Sequence, residues 1–109
     1  MTSYQKGDLL LVTFPFADVG QSKRRPAMVV ADTGDSDVLL ARVTTQSSRD
    51  VFDVELVEWK AAGLLAPSVV RLHKLATINK SLVGKRLGTL AASDRKNVAT
   101  ILAQFYATW

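Results

Sequence analysis

Short apolar runs separated by polar, turn-forming segments fill the first half of the chain, and this pattern predicts β-strands. Between the second and third apolar runs, Asp32–Asp37 has the composition of a hairpin turn. Before the second run, Phe14–Arg25 contains turn-forming residues and is predicted to be a loop. The three predicted strands cover residues 8–15, 26–31 and 38–45, and the last two form a hairpin.

The next part of the chain continues in the same way. Apolar and polar residues alternate from Phe52 to Leu56 within the predicted strand 51–57, and they alternate again within 68–76. Glu58–Gly63 is typical of one helical turn that ends at its glycine. Residues 76–83 favour no single element, and 85–90 are predicted to form a short last strand.

The C-terminal segment has helical periodicity instead. Its apolar residues form one stripe at helical spacing: Val98, Ile101, Leu102 and Phe105. Ser93 precedes them as a candidate N-cap, so the predicted helix runs from Ser93 to about Ala107. A set of short strands and a terminal helix predict a mostly β fold, a small barrel or curled sheet with the helix packed on it. The length of 109 residues predicts a single domain, 1–109.

Composition excludes several kinds of chemistry. The chain has no cysteine, which excludes disulfides, thiol catalysis and zinc–thiolate sites. The sequence shows no signal-peptide pattern and no apolar run of about 20 residues, so we expect a cytoplasmic protein with no membrane partner. The acidic turn with Asp32, Asp35 and Asp37 lacks the later glutamate of a calcium loop and is interpreted as a solvated hairpin turn. We therefore expect no metal site.

Net charge is +4, and the basic residues are clustered along the chain. One cluster is Lys23-Arg24-Arg25-Pro26, where three adjacent like charges repel one another. The planar guanidinium of arginine matches the oxygens of a phosphate, and Pro26 restricts the backbone directly after Arg25. This segment is therefore either a solvated loop tip or a site that holds a nucleic-acid phosphate.

Hydroxyl and amide side chains end the third predicted strand. They are Thr44, Thr45, Gln46, Ser47 and Ser48. In the predicted hairpin, Arg24 and Arg25 at the start of one strand face Thr44 and Thr45 at the end of the other. The sequence thus predicts that a cation and a hydroxyl meet at one edge of the sheet, although a merely polar strand end is the simpler interpretation of the second segment alone.

Four motifs carry a resemblance that none of them carries alone. They are G-D-L-L-L-V near the N-terminus, R-R-P-A-M-V-V, V-T-T-Q, and S-V-V-R-L-H-K-L-A-T-I before the helix. In this order and spacing, the chain resembles the MazF/PemK family of toxin endoribonucleases from about Lys6 to about Phe105. Phe14-Pro15-Phe16 is similar to the PemK-like branch, whereas residues 17–23 lack the Ser-Glu-Gln-Gly-type run of many members.

The resemblance implies a fold, an activity and partners. The fold would be an SH3-like small β-barrel with a C-terminal helix, usually a homodimer. The activity would be that of a type II toxin that cuts single-stranded RNA, often mRNA, at short sequences and without a metal or other cofactor. A cognate antitoxin would silence it, and operator DNA would be a partner only through that antitoxin.

Carried over by position, the resemblance assigns the catalytic roles to Arg25 and Thr44, although Arg24 is adjacent and could substitute in register. The remaining predicted substrate-binding residues are Lys23, Arg24, Thr45, Gln46 and Ser47. Cleavage without a metal can use the RNA's own 2′-OH as the nucleophile. Arg25 would then stabilise charge on the phosphoryl oxygens, and Thr44 would donate a hydrogen bond or help to move a proton.

Other interpretations stay open at this point. A non-catalytic nucleic-acid-binding barrel would stack bases on exposed aromatic residues, for which the candidates are Phe14, Phe16, Phe52 and Trp59. A protein-interaction barrel would bind only an antitoxin-like peptide. His73, the only histidine, is either a general base or a histidine on the face of a strand.

Overall fold

A computed structural model describes residues 2–14 and 23–109 of the chain. Within these ranges the structure has six strands, one 3₁₀ turn (Lys80–Leu82) and one α-helix. The strands are β1 (Asp8–Phe14), β2 (Lys23–Ala31), β3 (Asp37–Thr44), β4 (Asp53–Glu55), β5 (Val69–Asn79) and β6 (Val83–Thr89), and the helix is α1 (Ala92–Gln104). The predicted class, mostly β with a C-terminal helix, is confirmed.

All six strands belong to one antiparallel sheet with the order β4-β5-β3-β2-β1-β6. Strands β2 and β3 pair through the acidic turn, so the predicted hairpin is confirmed. In the described part of the chain, no hydrogen-bonded ladder joins β4 to β6, and the sheet is open between these two edges. Strands β2 and β3 therefore lie in the interior of the sheet, where their backbones are fixed from both sides.

Alternation of side chains along the strands divides the core between the two faces of the sheet. One cluster includes Leu9, Met28 and Val43, and α1 covers it. The predicted helical stripe is confirmed, since Val98 is buried in this cluster and the other three stripe residues pack against it. The second cluster, on the opposite face, includes Leu10, Val12, Ala27, Val29, Val38, Leu40 and Ile78. We call the face of the first cluster the helix face and the face of the second cluster the open face.

The prediction of a loop over Phe14–Arg25 was wrong at both ends. Phe14 belongs to β1, and β2 begins at Lys23 rather than at Pro26. Phe14 pairs with Lys23 and Thr13 with Arg24, so the backbone of the basic segment is held in the ladder while its side chains extend into solvent. Charge alone does not prevent strand formation when the charged side chains stay exposed.

The boundaries of the C-terminal helix and of β4 differ from the prediction. Asp94 is fully buried and accepts hydrogen bonds from the backbone N–H groups of Val57 and Glu58 at 2.9 and 2.8 Å. The helix begins at Ala92 with Ala91 as its N-cap, so Ser93 is not the N-cap, and it ends at Gln104 rather than near Ala107. Strand β4 covers only Asp53–Glu55 of the predicted 51–57, and the N–H groups of Val57 and Glu58 that follow it are bound by Asp94.

The predicted helical turn at Glu58–Gly63 is confirmed. The N–H of Leu64 donates to the carbonyl of Trp59, and the N–H of Gly63 donates to that of Lys60, which is the double hydrogen bond of a Schellman end. Gly63 has a φ of +90°, a conformation that glycine adopts without strain. The undecided segment 76–83 divides among β5, the 3₁₀ turn and the start of β6, which runs over Val83–Thr89 rather than 85–90.

Candidate nucleic-acid interface

Arg25 lies on the open face of the sheet. It pairs with Val12 of β1, which belongs to the buried cluster on that face, and it precedes Ala27 and Val29 of the same cluster by two and four residues. Its side chain is exposed. Arg24 pairs with Thr13 and therefore lies on the helix face. The two adjacent arginines thus extend to opposite sides of the sheet.

Thr44 is the last residue of β3 and is half-buried. It shares the open face with Leu40 and Val38 by alternation. The β2–β3 ladder ends at the pair Ala27–Arg42, and its antiparallel register, continued by two residues, would set Arg25 opposite Thr44. Directly opposite residues on one face have Cβ atoms about 5 Å apart. The register therefore brings the predicted cation and hydroxyl to the same face and the same end of the hairpin.

A short turn orients the Thr44 hydroxyl. The backbone N–H of Gln46 donates to Thr44 Oγ1 at 3.2 Å. This contact occupies a lone pair of the oxygen and leaves its O–H free to donate to a bound group. A hydroxyl held in this way can donate a hydrogen bond to a phosphate oxygen lying between it and Arg25.

The other predicted binding residues surround the same end of the hairpin. Lys23, Thr45, Gln46 and Ser47 are all exposed, and Lys23 lies on the open face two residues before Arg25. Residues 17–23, which lack the Ser-Glu-Gln-Gly-type run, fall outside the described residues except for Lys23, and so does Phe16. The described part of the site is therefore a set of donors spread over the ends of β2 and β3.

Sequence reasoning did not select Arg42, which also lies on this face. Arg42 is exposed, two residues before Thr44 on β3, and pairs with Ala27 on β2 and with Arg71 on β5. The signal was present in the strand pattern, because alternation places Arg42 on the face of Thr44 once β3 is recognised. Three arginines thus lie on neighbouring strands of one face: Arg25, Arg42 and Arg71.

Arg71 differs from the other two because it has an acidic partner. Its Nε lies 3.5 Å from Oδ1 of Asp53 on β4, and the Asp53 side chain is 0% exposed. The backbone N–H of Arg49 donates to Asp53 Oδ2 at 2.8 Å. His73 is also nearby, with Nδ1 3.9 Å from the same Oδ1. The charge of Arg71 is therefore matched within the fold.

His73 lies on β5 next to Asp53 of β4. Thr44 pairs with Val69, four residues before His73, and the β3–β5 register shifts between Arg71 and Leu75. The His73 side chain is half-buried beside Asp53 and Phe52, with a centroid distance of 6.1 Å to the Phe52 ring. The placement favours the interpretation of a sheet-face histidine over that of a general base at Thr44.

The aromatic residues considered as stacking platforms pack inside the fold where the structure describes them. Phe14 packs against the cluster of the open face, and Trp59 against that of the helix face. Phe52 stacks on Phe105 at 4.8 Å between centroids. These three side chains therefore serve as anchors of the fold rather than as exposed platforms for bases.

At the other end of the hairpin, Asp32 of the acidic turn is held by hydrogen bonds and an ion pair from other protein groups. Asp32 accepts hydrogen bonds from the N–H groups of Tyr4 and Gly34, at 2.8 and 2.9 Å, and pairs with Lys80 Nζ at 2.9 Å. These donors, the Tyr4 N–H first among them, lower the pKa of Asp32 to about 2. Within the part of the chain that the structure describes, no group of three acidic, histidine or cysteine side chains is placed to hold a metal ion.

Comparison with known proteins decides the family. Residues 5–106 match the profile of the PemK-like, MazF-like toxins of type II toxin–antitoxin systems. The chain belongs to this family. A search of curated proteins found no match for the toxin. Among residues 2–14 and 23–109 of the toxin, we find no helix with the length and apolar character that a membrane span requires.

Solved structures share the toxin's fold over nearly its whole length. An endoribonuclease in complex with its cognate antitoxin, from a mycobacterial species, is 18% identical with a TM-score of 0.78, covering 98% of this chain and 99% of that one. Mycobacterium tuberculosis toxin MazF-mt6 is 22% identical with a TM-score of 0.76, covering 94% and 99%. MazF from Deinococcus radiodurans is 22% identical with a TM-score of 0.73, covering 96% and 97%. At these identities the likeness concerns the fold.

Proposed function

We propose that this toxin is an endoribonuclease that cleaves single-stranded RNA, including mRNA, at short sequences and without a metal. The observation that supports the proposal is the register of β2 and β3, which brings the exposed Arg25 and the half-buried Thr44 to the same end of the hairpin on the open face. Family membership and the endoribonuclease named among its structural neighbours support it. An exposed guanidinium beside a free hydroxyl proton is suited to hold a phosphate diester.

In the proposed reaction the 2′-oxygen of the RNA attacks the adjacent phosphorus, and the bond from phosphorus to the 5′-oxygen breaks. The 2′-OH loses its proton, the departing 5′-oxygen gains one, and the products carry a 2′,3′-cyclic phosphate and a 5′-OH. Arg25 stabilises the negative charge that develops on the phosphoryl oxygens, and Thr44 donates a hydrogen bond to one of them. The two side chains also align the nucleophile with the leaving oxygen.

The remaining predicted residues would bind the strand on either side of the cleaved bond. Lys23 lies on the same face as Arg25, and Thr45, Gln46 and Ser47 are exposed directly after Thr44. Arg24 lies on the opposite face, which supports Arg25 rather than Arg24 as the catalytic arginine. In this assignment Arg24 would contact a more distant part of the substrate.

We further propose a cognate antitoxin as the protein partner of this toxin. The mycobacterial neighbour is in complex with its cognate antitoxin, and a MazE–MazF structure from Deinococcus radiodurans has a TM-score of 0.76 at 20% identity. A homodimer in the cytoplasm, which reaches operator DNA only through the antitoxin, agrees with this assignment. The exposed Leu65 and Trp109 offer apolar surface for such contacts.

The test is RNA cleavage in EDTA by the wild type, Arg25→Ala and Arg24→Ala. We expect the wild type to cut at defined sites and Arg25→Ala to lose roughly 100-fold or more in rate, because a donor to the transition state is removed. Arg24→Ala is the matched control, since it removes the same charge from the opposite face and should weaken binding more than turnover. No cleavage by the wild type, or equal cleavage by Arg25→Ala, would contradict the proposal.

A further inference from the structure

We propose that Arg42 is a second phosphate-binding residue, which holds a backbone phosphate next to the one between Arg25 and Thr44. The inference rests on the proposed function only for the position of the cleaved phosphate. It concerns a residue outside the motifs that carry the family resemblance, and its basis is the placement of charges across β2, β3, β5 and β4.

Arg42 lies beside the proposed site on the same surface. It is two residues from Thr44 along β3, and its partner Ala27 is two residues from Arg25 along β2. Diagonal neighbours of this kind have Cα atoms about 7–8 Å apart, which is within reach of two long side chains that bind different groups of one ligand. An RNA strand held at Arg25 would therefore pass within reach of Arg42.

Arg42 also faces a like charge on its other side. It pairs directly with Arg71 of β5, and like charges opposite each other on one face of a sheet are unfavourable. Arg71 is directed toward β4 by its 3.5 Å contact with the enclosed Asp53 carboxylate.

The two arginines differ in how their charges are matched. Arg71 has Asp53 as its partner, whereas Arg42 forms no ion pair with any acidic residue that the structure describes. Arg42 is exposed, so its charge is available to an external anion. A cation placed opposite another cation without a partner destabilises the free protein slightly, and a bound phosphate would relieve that cost.

Acidic residues define the boundary of this surface. Asp53 and Glu55 alternate onto the open face of β4, beyond Arg71, and Glu55 is exposed. An anionic strand would be repelled from that edge of the sheet. The favourable path therefore lies over β2 and β3, where Arg25 and Arg42 are found.

The test measures binding separately from cleavage. A short, labelled, random-sequence RNA with a 2′-O-methyl group on every nucleotide cannot be cut by 2′-OH attack. Its affinity for the wild type, Arg42→Ala and Lys96→Ala is measured by fluorescence anisotropy between about 50 and 200 mM KCl. Lys96→Ala is the matched control, since Lys96 is an exposed cation on α1, at the other face of the sheet. Thermal unfolding verifies that all three proteins are folded.

We expect Arg42→Ala to bind several-fold more weakly than the wild type and to reduce the salt slope, log K against log[KCl], by about 0.7, the value for one contact to a single strand. Lys96→Ala should keep the wild-type slope. The inference is overturned if Arg42→Ala keeps the slope and affinity of the wild type, or if the wild type does not bind this RNA.

The two proposals fail in different ways. If the wild type binds the modified RNA with the expected dependence on Arg42 but cuts no natural RNA, the proposed function is wrong and the phosphate site stands. If the wild type cuts natural RNA in an Arg25-dependent manner and Arg42→Ala binds as the wild type does, only the role of Arg42 is wrong.

Discussion

The two ends of the β2–β3 hairpin differ in whether their charged side chains are paired within the fold. At the turn, Asp32 is 2% exposed and is held by Tyr4, Gly34 and Lys80. At the open end, Arg25 and Arg42 are exposed, and neither forms an ion pair with an acidic residue that the structure describes. A charge matched inside the fold contributes to its stability, whereas an unmatched cation is free to bind an external anion.

The largest effect is expected at the open end of the hairpin, where a change at Thr44 should lower the rate of RNA cleavage. Thr44→Val removes the hydroxyl while keeping the shape of the side chain. We expect the RNA cleavage rate to fall by roughly 100-fold, since one donor to the phosphoryl group is lost. The unfolding temperature should change little, because the Gln46 N–H that Thr44 Oγ1 accepts lies in an exposed turn and can bind water.

Thr44→Ser is the control for this change, because it keeps the oxygen. Activity close to that of the wild type in Thr44→Ser, together with loss in Thr44→Val, would assign the effect to the hydroxyl. A large loss of stability in Thr44→Val, with activity retained in the protein that stays folded, would place Thr44 among the structural residues instead.

A smaller effect is expected at the turn end of the hairpin, where Asp32 makes the stability of the fold depend on pH below about 4. The ordinary pKa of an aspartate here is 3.8, and the Tyr4 N–H, the Gly34 N–H and Lys80 lower the pKa of Asp32 to about 2 in the folded state. The unfolded chain therefore takes up a proton first as pH falls. The stabilisation from Asp32 is fully present above the unfolded pKa and declines between pH 3.8 and about 2.

Urea unfolding over this pH interval measures the effect. The urea midpoint of the wild type should fall with decreasing pH, and that of Asp32→Asn should fall less steeply, because the substituted side chain does not titrate. Arg25→Ala should keep the wild-type slope, since its charge has no described acidic partner. Equal slopes for the wild type and Asp32→Asn would show that the turn end is not held by a matched charge.

Local pattern was sufficient to predict most of the fold. The apolar runs, the acidic turn and the C-terminal stripe led to the hairpin, the class and the helix that the structure confirms. These features depend on residues close in sequence, and their periodicity is visible in the chain itself. The Gly63 turn was predictable for the same reason, because its signal is a single glycine after a helical segment.

The parts that were not predictable depend on contacts between distant residues. The first turn of α1 and the segment after β4 are joined by Asp94, which accepts hydrogen bonds from backbone groups 36 and 37 residues away. Lys23–Arg25 join the sheet because β1 supplies a partner strand. The strand pattern already places Arg42 on the face of Thr44, but only the register shows that its neighbours are Ala27 and Arg71.

The most direct test of the account is a single atomic change in the substrate. Once the cut site of the wild type is mapped in EDTA, the nucleotide on its 5′ side is replaced by its 2′-deoxy form. We predict that cleavage at that bond stops while binding persists, and that the natural RNA yields a 2′,3′-cyclic phosphate and a 5′-OH. Cleavage of the 2′-deoxy substrate at the same bond and at a similar rate would contradict it.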